Sequence, residues 1–186
     1  MDEHIILGVD PGTLIMGYAL LKATPVKSEL ITLDVLNLKK LPDQPSKLKT
    51  IFEFVTELID QYHPNILAIE EPFLGKSAQS MLKLGRAQGV VMAACIHKEL
   101  EINEYSPRKI KQSVTGNGNA AKEQVSAMLQ RMYPLPTDLK YLDATDALAV
   151  AVCHHLQNRV QLGPKQQHFS GWEGFLSKNA DRIIKK

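Results

Sequence analysis

Four carboxylates in this sequence stand at the edges of segments that are otherwise apolar. Asp10 follows Ile5-Ile6-Leu7-Gly8-Val9, Glu70 follows Ile66-Leu67-Ala68-Ile69, and Asp143 and Asp146 open an alanine-rich run, DATDALAVAVCHHL. An acid beside a buried element is costly to desolvate unless a cation or hydrogen-bond donors compensate it. Hard oxygen ligands drawn from separate elements suit Mg²⁺ or Mn²⁺. Two such cations about 3.5–4 Å apart can activate a water and stabilise the leaving oxygen of a phosphodiester. The chemistry this points to is that of a metal-dependent nuclease.

Each acid also has a plainer explanation. Asp10 lies in GVDPGT, which fits a Pro-Gly turn or a phosphate-cradling loop as well as a metal ligand. Glu70 and Glu71 point to opposite faces of a strand, and periodicity does not say which faces a shared site. Asp143 can cap a helix with Asp146 in a capping-box-like position, although the same spacing puts both carboxylates on one helical face. One capping pair needs no explanation; four coincident acids do.

The elements that must position them follow from pattern. Strands are predicted over residues 4–10, 15–22 and 29–36 as an antiparallel meander, then 65–70 and 101–105. An amphipathic helix is predicted over 46–62, with Leu48, Ile51, Phe52, Val55 and Ile59 on one stripe. Further helices are predicted over 77–99, 120–132 and 143–158, with SPRKIKQSVTGNGN as a polar loop. This order describes an α/β fold, a mixed five-stranded sheet with helices on both faces. If a crossover sets strand 65–70 beside strand 4–10, Asp10 and Glu70 finish side by side. The last helix, packed closely through Ala144, Ala147, Ala149 and Ala151, then brings in Asp143 and Asp146.

Glycine inside a helix costs roughly 1 kcal/mol relative to alanine, so Gly85, Gly89 and Ala93 at four-residue spacing require a close neighbour. Spacing alone favours the sheet beneath over an equivalent helix of a second subunit. His63, His97, His154, His155 and His168 show no ligand spacing with the cysteines and are read as core or surface residues.

A length of 186 residues and 44% hydrophobic content fit one domain, residues 1–160, followed by a basic tail, 161–186, that carries Trp172. No apolar stretch is long enough to span a membrane, and the start Met1-Asp2-Glu3-His4 is unlike a signal peptide. Cys95 and Cys153, both in apolar helical contexts, fit reduced core thiols and a cytoplasmic protein. The net charge of +2 is unevenly spread. Residues 72–98 contain no acid against Lys76, Lys83, Arg86 and Lys98, and residues 105–122 contain none against Arg108, Lys109, Lys111 and Lys122. Two basic stretches bracketing an acidic cluster suit a phosphate-binding surface around a metal site.

Several motifs in one order resemble a known family: IILGVDPGT with Gly17-Tyr18, AIEEPF, SMLKLGRAQG, YSPRKIKQSVTGNGNAAKEQV and DATDALAVAVCH. Over roughly residues 4–158 the chain resembles the RuvC family of Holliday-junction resolvases, within the ribonuclease-H-like nucleases. The resemblance implies that Asp10, Glu70, Asp143 and Asp146 are catalytic metal ligands, and it selects Glu70 over Glu71. It implies that Phe73 contacts bases near the junction point, and that Lys111 and Lys122 contact DNA and support catalysis. It further implies a homodimer through helix 77–99, two active sites for a four-way junction, and the branch-migration partners RuvA and RuvB. Pro72 and the C-terminal extension depart from the family pattern. GVDPGT also resembles the phosphate loop of sugar kinases and actin-like ATPases, but those folds duplicate the domain and this chain is too short for that.

Overall fold

Strand propensity and strict burial account for the centre of the protein. In a computed structural model, which describes residues 3–72, 77–135 and 142–161, five strands form one sheet. These are β1 (His4–Asp10), β2 (Ile15–Ala23), β3 (Ser28–Asn37), β4 (Ile66–Glu70) and β5 (Glu101–Tyr105), in the spatial order β3-β2-β1-β4-β5. The first three are antiparallel neighbours, whereas β4 runs parallel to both β1 and β5. The predicted crossover is therefore present, with Val9 opposite Ile69, so that Asp10 and Glu70 leave the sheet at the same end. Of the predicted tail, residues 161–186, everything from residue 162 onward lies outside the described residues.

Alternation divides the sheet's side chains between two cores. Leu7, Val9, Leu20, Leu67 and Ile69 face α1 (Gln44–Tyr62) and α2 (Ala78–His97). Ile6, Ala19, Leu21 and Ala68 face the other way, towards α3 (Pro107–Thr115), α4 (Lys122–Met132) and α5 (Leu142–Gln161). Helices thus cover both faces, as the pattern predicts. None of the described helices is long and apolar enough to cross a membrane.

Local chemistry sets the helix limits. The Asp43 carboxylate accepts from the Ser46 N–H at 2.8 Å and starts α1, which ends at His63 in the left-handed conformation, φ 49°. Two expectations need correction. Phe52 does not belong to the buried stripe of α1: it is exposed, and Phe54 instead packs edge-on against Tyr18. The segment read as a polar loop contains α3. Pro107 opens that helix at its first turn and Gly116, at φ 77°, closes it, a conformation a side chain would strain. Its short apolar stripe, Ile110 and Val114, is easily overlooked among so many polar residues.

The packing of α5 on the sheet depends on missing side chains. A Cβ placed on Gly8 would lie 2.3 Å from the Ala147 carbonyl oxygen and 2.9 Å from the Ala151 Cβ. One on Gly17 would lie 1.9 Å from the Asp143 carbonyl oxygen. Strand glycines and helix alanines together let α5 rest directly on β1 and β2, which brings its acidic first turn to the sheet's end.

Candidate active site

Three elements converge at the end of the central strands. One carboxylate oxygen from each of Asp10, Asp143 and Asp146 lies within 4.8 Å of the others, the only such group of potential ligands found among the described residues. Glu70 shares with Asp10 and Asp146 a cleft of about 90 Å³ lined also by Pro107, Ile110, Lys111, Lys122, Val125 and Ala149. Glu71 is exposed, and its N–H donates to the Tyr105 carbonyl at 2.9 Å, so the strand's alternation gives the cleft to Glu70. Asp143 is a helical residue in the first turn of α5 and not its cap.

The electrostatics are those of crowded, partly buried carboxylates. Asp10 has its carboxyl pushed up to about 7, chiefly by burial, then by the charges of Glu70 and Asp146, with Lys122 opposing. Glu70 is also raised, first by burial and then by Asp146, with Lys122 and Lys111 working against the shift. Burial disfavours the charged form of Lys122, yet its ion pair with Asp146 and the charges of Asp10 and Asp143 hold its pKa above the ordinary value. One ammonium thus offsets part of the mutual repulsion. A divalent cation bound by oxygen would offset more, and carboxylates this close, drawn from a strand and a helix, fit such an ion.

Other predicted residues fall elsewhere. Lys83 and Arg86 are exposed on α2 and do not line the cleft. Arg108 and Lys109 line a second cleft with Ser106, Gln112, Ser113 and Gln157, about 290 Å³. Phe73 and Lys76 lie outside the described residues. His154 is a structural residue: its Nδ1 is 2.8 Å from the Tyr105 hydroxyl and its Nε2 2.8 Å from Asn158 Nδ2, and burial lowers its pKa. Cys95 and Cys153 are buried free thiols, with burial pushing Cys95 up to about 12.

The sheet, which spacing alone favours as the neighbour of Gly85 and Gly89, is not there, and of the two alternatives only the second subunit that the resemblance implies is left open. Nothing lies within 4 Å of a Cβ built on either, and both are exposed beside Leu82 and Ile96. Sequence reading also missed Pro107 and Ile110 as cleft residues, because both belong to the unrecognised α3; the Pro107 and Gly116 spacing was the available signal.

A family model described as Crossover junction endodeoxyribonuclease RuvC matches residues 6–154. The chain belongs to the RuvC family. It is 52% identical to the Crossover junction endodeoxyribonuclease RuvC of Christiangramia forsetii, over 98% of this chain and 94% of that protein. The Bacteroides fragilis protein of the same description is 48% identical, over 98% of this chain and 97% of its own length. Among solved structures, Thermus thermophilus RuvC in complex with Holliday junction substrate superposes with a TM-score of 0.78 at 26% identity. That match covers 85% of this chain and 96% of the other. The five-stranded sheet and its flanking helices therefore form the ribonuclease-H-like fold of this family.

Proposed function

We propose that this protein is an endodeoxyribonuclease that resolves four-way DNA junctions by paired, metal-dependent phosphodiester hydrolysis, in recombination and repair. The observation that carries the reading is the convergence of Asp10, Asp143 and Asp146 within 4.8 Å, with Glu70 and two lysines sharing a cleft with Asp10 and Asp146, in a RuvC-family chain. Asp10, Glu70, Asp143 and Asp146 hold the divalent cations, two per site, with Mg²⁺ the natural ion and Mn²⁺ a substitute. Those cations supply water activation and leaving-oxygen stabilisation.

The chain's own residues do the rest. Asp10 and Glu70 hold their oxygens on the rigid end of the sheet, and α5 holds Asp143 and Asp146 against them. Lys111 and Lys122 approach from α3 and α4 and counter the charge of the scissile phosphate. Arg108 and Lys109 extend the cationic surface along the duplex arm, and Phe73, Lys76, Lys83 and Arg86 contribute DNA contacts of their own.

A four-way junction has two equivalent strands to nick, which calls for two sites related by a dyad. The exposed stripe of α2, with Leu82 56% and Ile96 60% exposed and open space over Gly85 and Gly89, supports a homodimer through that helix. RuvA and RuvB branch-migration proteins are the accompanying partners, the compartment is the cytoplasm, and residues 161–186 form a basic tail on a nuclease domain of residues 1–160.

The test is cleavage of a synthetic four-way junction, a linear duplex and an RNA–DNA hybrid with Mg²⁺ and then with chelator. Selective, chelator-sensitive nicking of the junction supports the proposal. Preference for the hybrid, or nucleotide hydrolysis without DNA, refutes it.

A further inference from the structure

Of the buried polar side chains on the described residues, Gln88 alone belongs to α2. It is 4% exposed and sits between Ala87 and Val91, both buried, on the face of the helix turned to the sheet. An amide in such a place forfeits hydrogen bonds to water, and an aliphatic residue of similar size packs there without that cost. Gln88 meets the cost with two acceptors. Its Nε2 donates to the Glu104 carboxylate at 3.0 Å and lies 3.5 Å from the backbone carbonyl oxygen of Glu70.

These acceptors are at the point where β4 and β5 leave the sheet. The ladder closes there with the Glu71 N–H donating to the Tyr105 carbonyl. Beyond it Glu71 and Pro72 are exposed, so among the described residues that ladder bond on the strand side and the Gln88 amide on the helix side are what hold the chain that carries the Glu70 carboxylate into the cleft. We propose that Gln88 is a positioning residue for Glu70: it fixes the exit of β4 from the helix side and so ties the placement of α2 to the geometry of the carboxylate cluster. Cation ligands tolerate errors of only about 0.2 Å in distance, so a modest drift of this exit weakens the site.

The inference rests on the reading of Glu70 as a cation ligand, so Glu70→Gln is the control. The experiment titrates Mn²⁺ into the full-length protein without DNA, by calorimetry, and records the unfolding midpoint and association state of each variant. Gln88→Leu is expected to raise the Mn²⁺ dissociation constant roughly tenfold, the size typical of groups that orient metal ligands, while leaving unfolding and association near wild type. Nicking is expected to need more Mn²⁺ for half its maximum yet to approach the wild-type rate at saturation, a split that a general loss of structure does not produce. Glu104→Ala, a surface change that tests the same bond if Gln88→Leu does not fold, is expected to shift the constant in the same direction. Glu104→Gln keeps the acceptor and is expected to restore it. Wild-type Mn²⁺ affinity in Gln88→Leu or, where that variant does not fold, in Glu104→Ala, overturns the proposal. If Glu70→Gln binds Mn²⁺ as wild type does, the underlying assignment of Glu70 fails instead.

Discussion

Asp10 should make the cation-free protein less stable as pH rises, and the size of the effect follows from its surroundings. In an unfolded chain its carboxyl titrates near 3.8, whereas in the fold burial and neighbouring acids push it to about 7. A carboxyl raised on folding favours the native state when protonated. Its full contribution is therefore present below pH 3.8 and is lost as pH climbs through 7. At about 1.36 kcal/mol per unit, the cost of ionised Asp10 relative to a neutral group is about 1.7 kcal/mol at pH 5 and about 4 kcal/mol at pH 8. Asp10→Asn, neutral throughout, should accordingly stabilise the protein in chelator by up to about 4 kcal/mol at pH 8 and by about 2.5 kcal/mol less at pH 5. Urea denaturation of both proteins at the two pH values, with chelator present, measures the difference. Mg²⁺ at a hundred times its dissociation constant should then narrow the gap, because such a ligand adds about 2.7 kcal/mol to the form that binds it. The reasoning is refuted if Asp10→Asn is no more stable than wild type at pH 8 in chelator. The same variant should bind a junction and fail to nick it.

Other perturbations probe the elements around the cluster. Lys122→Gln removes the ammonium paired with Asp146 and should slow nicking on the order of 10²-fold while junction binding, followed by gel shift, changes little. Gly17→Ala would drive a methyl into the Asp143 carbonyl and should cost about 3 kcal/mol by thermal unfolding, with activity falling as α5 is displaced. Leu82→Glu, a charge on the exposed stripe of α2, should leave the chain folded but monomeric by light scattering, and junction cleavage should lose its paired character. Arg108→Gln should lower junction affinity and reduce the slope of log affinity against log salt by about 1 if that side chain meets a phosphate.

What was legible in the sequence was whatever depends on near neighbours. Apolar runs and their flanking turns announced all five strands and the long helices, because burial on one or both faces writes a period directly into the chain, while the crossover stood only as a condition that the sheet order then met. The four acids stood out for the same reason, as charges at the ends of buried segments, and the alanines of α5 anticipated its close seat on the sheet. Helix α3 escaped because its nine residues bear only two buried apolar side chains, too few to establish a period.

The remainder belongs to the fold. Glu70 and Glu71 are chemically alike and adjacent, and only the pairing of β4 between β1 and β5 directs one of them into the cleft. The open space over Gly85 and Gly89 depends on which side of α2 meets the sheet, a choice the spacing of small residues leaves undetermined. The proton affinity of Asp10, the Lys122–Asp146 pair and the reach of Gln88 across two strand ends arise from groups far apart along the chain. Desolvation and Coulomb interactions are sums over whatever surrounds a group in space, so the residue types came from the chain and their energies from its folding.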